Sequence, residues 1–115
     1  MSEEFETTDS GLKFRILKES DGRKPCAMDS VTVHYRGTLE DGTEFDSSYG
    51  RGEPITFPLN RVISGWTEGL QLIGERGEIE LKIPPELGYG AGGTPSGPIP
   101  PNATLTFQVE LIGIE

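Results

Sequence analysis

"VTVHYRGTLEDGTEFDSS", from Val31 to Ser48, carries two signals in one run. Val31, Val33 and Tyr35 alternate with Thr32, His34 and Arg36, the two-residue period of a strand with one buried face. Asp41-Gly42 is then a strong hairpin signal, and the chain should turn there and return through "TEFDSS". A strand, a tight turn and a returning strand predict an antiparallel sheet.

The flanking segments agree. Leu12, Phe14 and Ile16 alternate with polar neighbours, and "ITFPL" sets Ile55 and Phe57 on one face. In "EIELKIP" Ile79, Leu81 and Ile83 point one way while Glu78, Glu80 and Lys82 point the other. The last element aligns Leu105, Phe107, Val109 and Leu111. "NRVISGWTEGLQLIG" is the one substantial helical segment: Val62, Trp66 and Leu70 recur every four residues, Asn60 or Ser64 is placed to cap its start, and Gly74 to stop it. Gly69 inside that pattern works against it. The fold class is therefore α+β: several antiparallel strands forming a sheet with one solvated face, and one short helix covering the other. Residues 1–10 read as a flexible or weakly attached start, and residues 11–115 as one domain.

Composition narrows the function. The chain has 115 residues with a net charge of −9, which argues against nucleic acid and against an anionic membrane surface. No apolar run approaches a membrane span. Cys26 is the single cysteine, so no internal disulfide forms, and the opening "MSEEFETTDS" has no signal-peptide pattern. A cytoplasmic setting is the expectation. His34 is the only histidine and reads as a surface residue, so a Ser-His or Cys-His nucleophile pair is not expected, nor is a metal or cofactor.

What remains is aromatic and branched side chains near loop ends: Tyr35, Phe45, Phe57, Trp66, Tyr89 and Phe107, with Val62, Ile63 and Ile99. Any one of them alone would be core. Tyr89, however, lies in "LGYGAGGTPSGPIPPN", a glycine-proline loop between two strands that gives a phenol no packing reason to be there. Together these side chains point to an apolar pocket at one end of the helix.

Four stretches in order — "VTVHYRGTLEDGTEFDSS", "VISGWTEGL", "LKIPPELGYG" and "IPPNATLTFQVEL" — resemble the FKBP-type peptidyl-prolyl cis-trans isomerases. The resemblance runs from Leu12 onward, and "RGEPITFPLNRVISGWTEGLQL" is similar to the bacterial macrophage-infectivity-potentiator branch, here without its helical dimerisation segment. It implies a curved antiparallel sheet of about five strands wrapped around one short α-helix, and a lone isomerase domain acting on proline-containing peptides and unfolded chains, with macrolides such as rapamycin or tacrolimus as inhibitors. A monomer is expected, because no apolar helix or unbalanced exposed stripe in the sequence asks for a partner. The alternative is a peptide-binding module of the same fold without turnover. The resemblance implies Trp66 as pocket floor and Tyr35, Phe45, Phe57, Val62, Ile63 and Phe107 as walls. It implies Ile99 and Tyr89 as contributions of the loop, and Asp46 as the pocket carboxylate with Arg51 as its partner. Asp46, Tyr89 and Trp66 would be catalytic. The Tyr89 hydroxyl and the Ile63 N–H would meet carbonyl oxygens of the bound peptide. Three departures stand out: Ile55 where the family often has phenylalanine, a longer "AGGTPSGPI" loop, and Thr94 within it.

Overall fold

The computed structural model describes residues 5–93 and 99–114. Its strands are β1 (Glu6–Thr7), β2 (Lys13–Lys18), β3 (Ser30–Thr38), β4 (Glu44–Ser47), β5 (Ile55–Pro58), β6 (Glu78–Ile83) and β7 (Leu105–Ile114). All pair antiparallel in one sheet, in the order β1-β2-β6-β7-β3-β4, with β5 also on β3. The sheet thus has seven strands where about five are expected. The excess has a simple origin. β4 pairs with Arg36–Thr38 and β5 with Ser30–Val33, so one return path along β3 is broken in two. β1 adds only two residues at the far edge.

The break is the four-residue helix α1 (Ser48–Arg51), in a stretch whose sequence reads as loop. The Ser47 hydroxyl caps it by accepting the Gly50 N–H at 3.3 Å. The hairpin before it closes as expected, with the Leu39 N–H donating to the Thr43 carbonyl at 2.8 Å.

The substantial helix, α2, is shorter than its sequence pattern. It covers only Ser64–Gly69, with a 3-10 turn before it (Leu59–Arg61) and another after it (Leu70–Leu72). Neither Asn60 nor Ser64 caps it: Ile63 holds the cap position in extended backbone and makes no side-chain cap bond. The Thr67 hydroxyl ties the helix to the preceding turn by donating to the Leu59 carbonyl at 2.8 Å. Gly65 and Gly69, unfavourable in an isolated helix, let α2 lie directly on β6. A Cβ on Gly65 would stand 2.8 Å from the Ile83 side chain, and one on Gly69 would stand 2.5 Å from that of Leu81.

The core lies between α2 and the sheet. Leu12, Val31, Val33, Leu70, Ile79, Leu81, Ile83 and Leu105 are fully buried there. The start of the chain is held from Phe5 onward. The guanidinium of Arg15 and the ammonium of Lys82 both lie over the Phe5 ring, and the Ser10 hydroxyl donates to Glu68 at 2.5 Å. Among the described residues no helix is long and apolar enough to cross a membrane.

Candidate functional site

Sheet register assembles the site. β3 aims Val31, Val33 and Tyr35 at the core, and pairing sets Phe57 opposite Val31 and Ile55 opposite Val33. Phe107 falls opposite Gly37. A Cβ there would come within 2.7 Å of Phe107 and 2.8 Å of Phe45, so the missing side chain leaves the space those two rings fill.

Phe45 and Asp46 are neighbours, and in a regular strand they would face opposite sides of the sheet. Both nevertheless line one cavity. The cause is a bulge: Gly37 pairs with Asp46 and Thr38 with Glu44, leaving Phe45 as the extra residue. A bulge of this kind re-aims a side chain. Val62 and Ile63 reach the same cavity from the extended link between the 3-10 turn and α2.

The cavity has a volume of about 470 Å³. Trp66, only 5% exposed, forms its base. Tyr35 and Phe107 meet the indole edge-to-face at centroid distances of 5.2 and 5.0 Å, and Phe57 lies 5.5 Å away. The indole N–H is buried without a hydrogen-bond partner among the described residues, so packing alone holds the ring. Tyr89 stands at the rim, 41% exposed. The Ile63 N–H finds no backbone acceptor among the described residues.

One polar cluster borders this apolar space. The Tyr35 hydroxyl donates to Asp46 Oδ2 at 2.5 Å, Arg51 Nη1 donates to Asp46 Oδ1 at 2.8 Å, and Arg51 Nη2 donates to the Tyr35 oxygen at 3.1 Å. Burial pushes the Asp46 carboxyl up, but the Tyr35 hydroxyl and the Arg51 guanidinium outweigh it and hold the group below its ordinary value of 3.8. Burial, and then the bond to Asp46, raise the Tyr35 phenol. Arg51 is held the more firmly charged by Tyr35 and Asp46.

A carboxyl whose folded pKa is depressed contributes stability above its ordinary value and loses it as pH falls through the lower folded value. Asp46→Asn should therefore cost stability near neutral pH, by about 1 kcal/mol or less because both partners are over a third exposed. The gap to the unmodified chain should close below pH 3.8. Urea midpoints followed from about pH 7 down to about pH 2 measure this. A gap that stays constant would refute the ionic role.

Two expected site residues are not among those lining the cavity, although Arg51 is the partner of Asp46 as expected. Ile99, expected as a contribution of the loop, is 5% exposed and packs in the same buried cluster as Tyr35, Trp66 and Phe107. Arg51 reaches the site only through Asp46 and Tyr35, its guanidinium lying off the cavity wall. Thr94 and the centre of "AGGTPSGPI" lie outside the described residues.

Two further residues matter that the sequence reading passed over. Arg61 lines the cavity. Ser48, fully buried, accepts the Tyr35 N–H at 2.7 Å and lies 2.8 Å from His34 Nδ1, fixing the backbone that carries Tyr35. His34 itself is half-buried and stacks on Tyr49 at 4.7 Å. Among the described residues no group of three or more His, Cys, Asp or Glu is placed to hold a metal ion.

The sequence pattern of the FKBP-type peptidyl-prolyl cis-trans isomerases matches residues 21–112. The chain belongs to this family. An FKBP-type isomerase named FkpA from Aeromonas hydrophila is 53% identical over 113 residues, covering 98% of this chain and 41% of that protein. The crystal structure of FkpA from Escherichia coli superposes with a TM-score of 0.94 at 49% identity, over 99% of this chain and 53% of that one. The crystal structure of AtFKBP13 gives 0.89 at 39% identity, over 97% and 99%. The chain spans 41% and 40% of the length of the FkpA proteins from Aeromonas hydrophila and Escherichia coli.

Proposed function

We propose that the cavity binds X-Pro segments of peptides and unfolded chains and accelerates rotation about the X-Pro bond. The observation that carries this reading is a cavity with an indole base and aromatic walls, open at a rim that bears Tyr89.

The barrier to rotation comes from amide resonance and is about 18–20 kcal/mol. Water stabilises the planar, charge-separated amide. An apolar enclosure withdraws that solvation and so favours the twisted form, whose carbonyl is less polar. Prolyl is a compact apolar ring, and Trp66 offers it a flat base. In this reading the Ile63 N–H and the Tyr89 hydroxyl hold a flanking carbonyl while the other side turns. Lowering the barrier by about 7 kcal/mol corresponds to roughly five powers of ten in rate. No bond breaks, so neither nucleophile nor metal is required. Asp46 acts chiefly on its neighbours in this reading: it fixes the Tyr35 ring against Trp66 and presents a charge at the wall.

Macrolides whose ring systems contain a prolyl-like amide would compete for the same space. We read the domain as monomeric, because its cavity is built from the side chains of one chain. The exposed free thiol of Cys26 suits a reducing compartment, and the cytoplasm is our reading of where it works.

A proline-peptide isomerisation assay tests the proposal. The intact domain should raise the rate far above the uncatalysed one, whose time constant is tens to hundreds of seconds. Saturable quenching of Trp66 fluorescence by the peptide with no rate above background would sink turnover and leave a binding module.

A further inference from the structure

Two charged side chains line the cavity, Asp46 and Arg61. Asp46 is already balanced, since Arg51 and Tyr35 hold both its oxygens. Arg61 is not: it closes the 3-10 turn Leu59–Arg61, is exposed, and has no ion-pair partner among the described residues. A bare guanidinium at the mouth of an apolar pocket runs against the charge of the whole chain, which is −9.

Its position is also specific. Arg61 immediately precedes Val62 and Ile63, which form the wall on that side; the Ile63 N–H has no backbone acceptor among the described residues. A peptide chain leaving the pocket at this wall would run close to Arg61. The planar fork of arginine matches a carboxylate with two parallel hydrogen bonds. The apolar wall beside it weakens solvent screening, so the local attraction exceeds that of a pair on open surface.

We propose that Arg61 is a specificity-determining residue, selecting peptides that carry a carboxylate next to the proline. The proposal rests on the isomerase reading above. It differs from a general charge effect, because the net charge of the chain repels acidic peptides at long range. Any preference for them must therefore arise at the site itself.

The test compares peptides of the form Ala-Xaa-Pro-Phe and Ala-Pro-Xaa-Phe, with glutamate, glutamine or lysine at Xaa. Both kcat/KM and quenching of Trp66, the only tryptophan, are read. In the unmodified chain glutamate should exceed lysine by about three- to tenfold in at least one series at low salt, and the ratio should shrink at about 1 M salt, where screening acts within about 3 Å. Arg61→Gln should bring the ratio toward one, and Arg61→Glu should invert it. A ratio that is the same in the unmodified chain and in Arg61→Glu would overturn the proposal, as would absence of quenching by any of the peptides. If no peptide turns over, the isomerase reading fails, while the quenching ratio still decides the role of Arg61.

Discussion

Trp66→Ala is expected to lower kcat/KM for proline peptides by at least about two powers of ten and to cost about 3–5 kcal/mol of stability. The indole is 5% exposed and in contact with Tyr35, Phe57 and Phe107 at centroid distances between 5.0 and 5.5 Å. Its removal leaves a void beneath three aromatic rings. Because the buried N–H has no partner among the described residues, no hydrogen bond to them is lost and the penalty is one of packing. Folded domains hold only about 5–15 kcal/mol in all, so the variant should be weakened but still fold. Trp66→Phe keeps an aromatic base and should retain a larger share of both activity and stability. Far-ultraviolet circular dichroism in urea gives the stability, since the substitution removes the only tryptophan fluorophore. Turnover of the alanine variant at the full rate, with the fold intact, would show that the base of the cavity takes no part.

The second large effect is expected at Gly93→Ala. Gly93 has φ 60° and ψ −150°, a region that essentially only glycine occupies. A Cβ there would stand 2.4 Å from the Ile99 carbonyl oxygen and 2.7 Å from the Pro100 carbonyl carbon. Both neighbours are backbone and cannot swing aside. Backbone strain and overpacking each cost about 1–3 kcal/mol, so a total near 3 kcal/mol or more is expected. The damage should reach the site. Ile99 is packed in the core, and Tyr89 heads the turn Gly90–Gly92 that ends at Gly93. Peptide quenching of Trp66 should weaken together with the melting temperature. Gly92→Ala is the control, because a Cβ there meets nothing within 4 Å and its φ is not positive. Equal behaviour of the two variants would refute the tight contact at Gly93.

Much of this architecture is legible in the sequence. The alternation Val31-Val33-Tyr35, the Asp41-Gly42 turn and the Ile79-Leu81-Ile83 run are local patterns, and local patterns fix which face of each strand is buried. The aromatic set of the cavity is legible as well, because a phenol in a glycine-proline loop and a lone tryptophan have few other uses. What escapes is whatever depends on contact between elements. That Phe45 and Asp46 share one cavity follows from a bulge, and a bulge exists only in relation to the partner strand. The length of α2 escapes for the same reason. Val62 and Trp66 keep helical spacing, yet Val62 and Ile63 are extended, and the helix begins only at Ser64. Gly69 counts against a helix when taken alone, and its purpose appears only beside Leu81. Ile99 is a further case: its burial in the cluster that holds Trp66 depends on how the loop returns to the sheet, which no local pattern states.

β7 lies between β3 and β6, near the middle of the sheet, although it is made after both. Until β7 is made, no ladder can join the strands β1-β2-β6 to the strands β3-β4-β5. Phe107, on β7, is also the last of the rings around Trp66 to be synthesised. Vectorial synthesis proceeds at about 5–20 residues per second, so the nascent chain spends on the order of seconds without that ladder. The apolar hollow and the cooperative fold are thus completed together, by the same late-arriving strand.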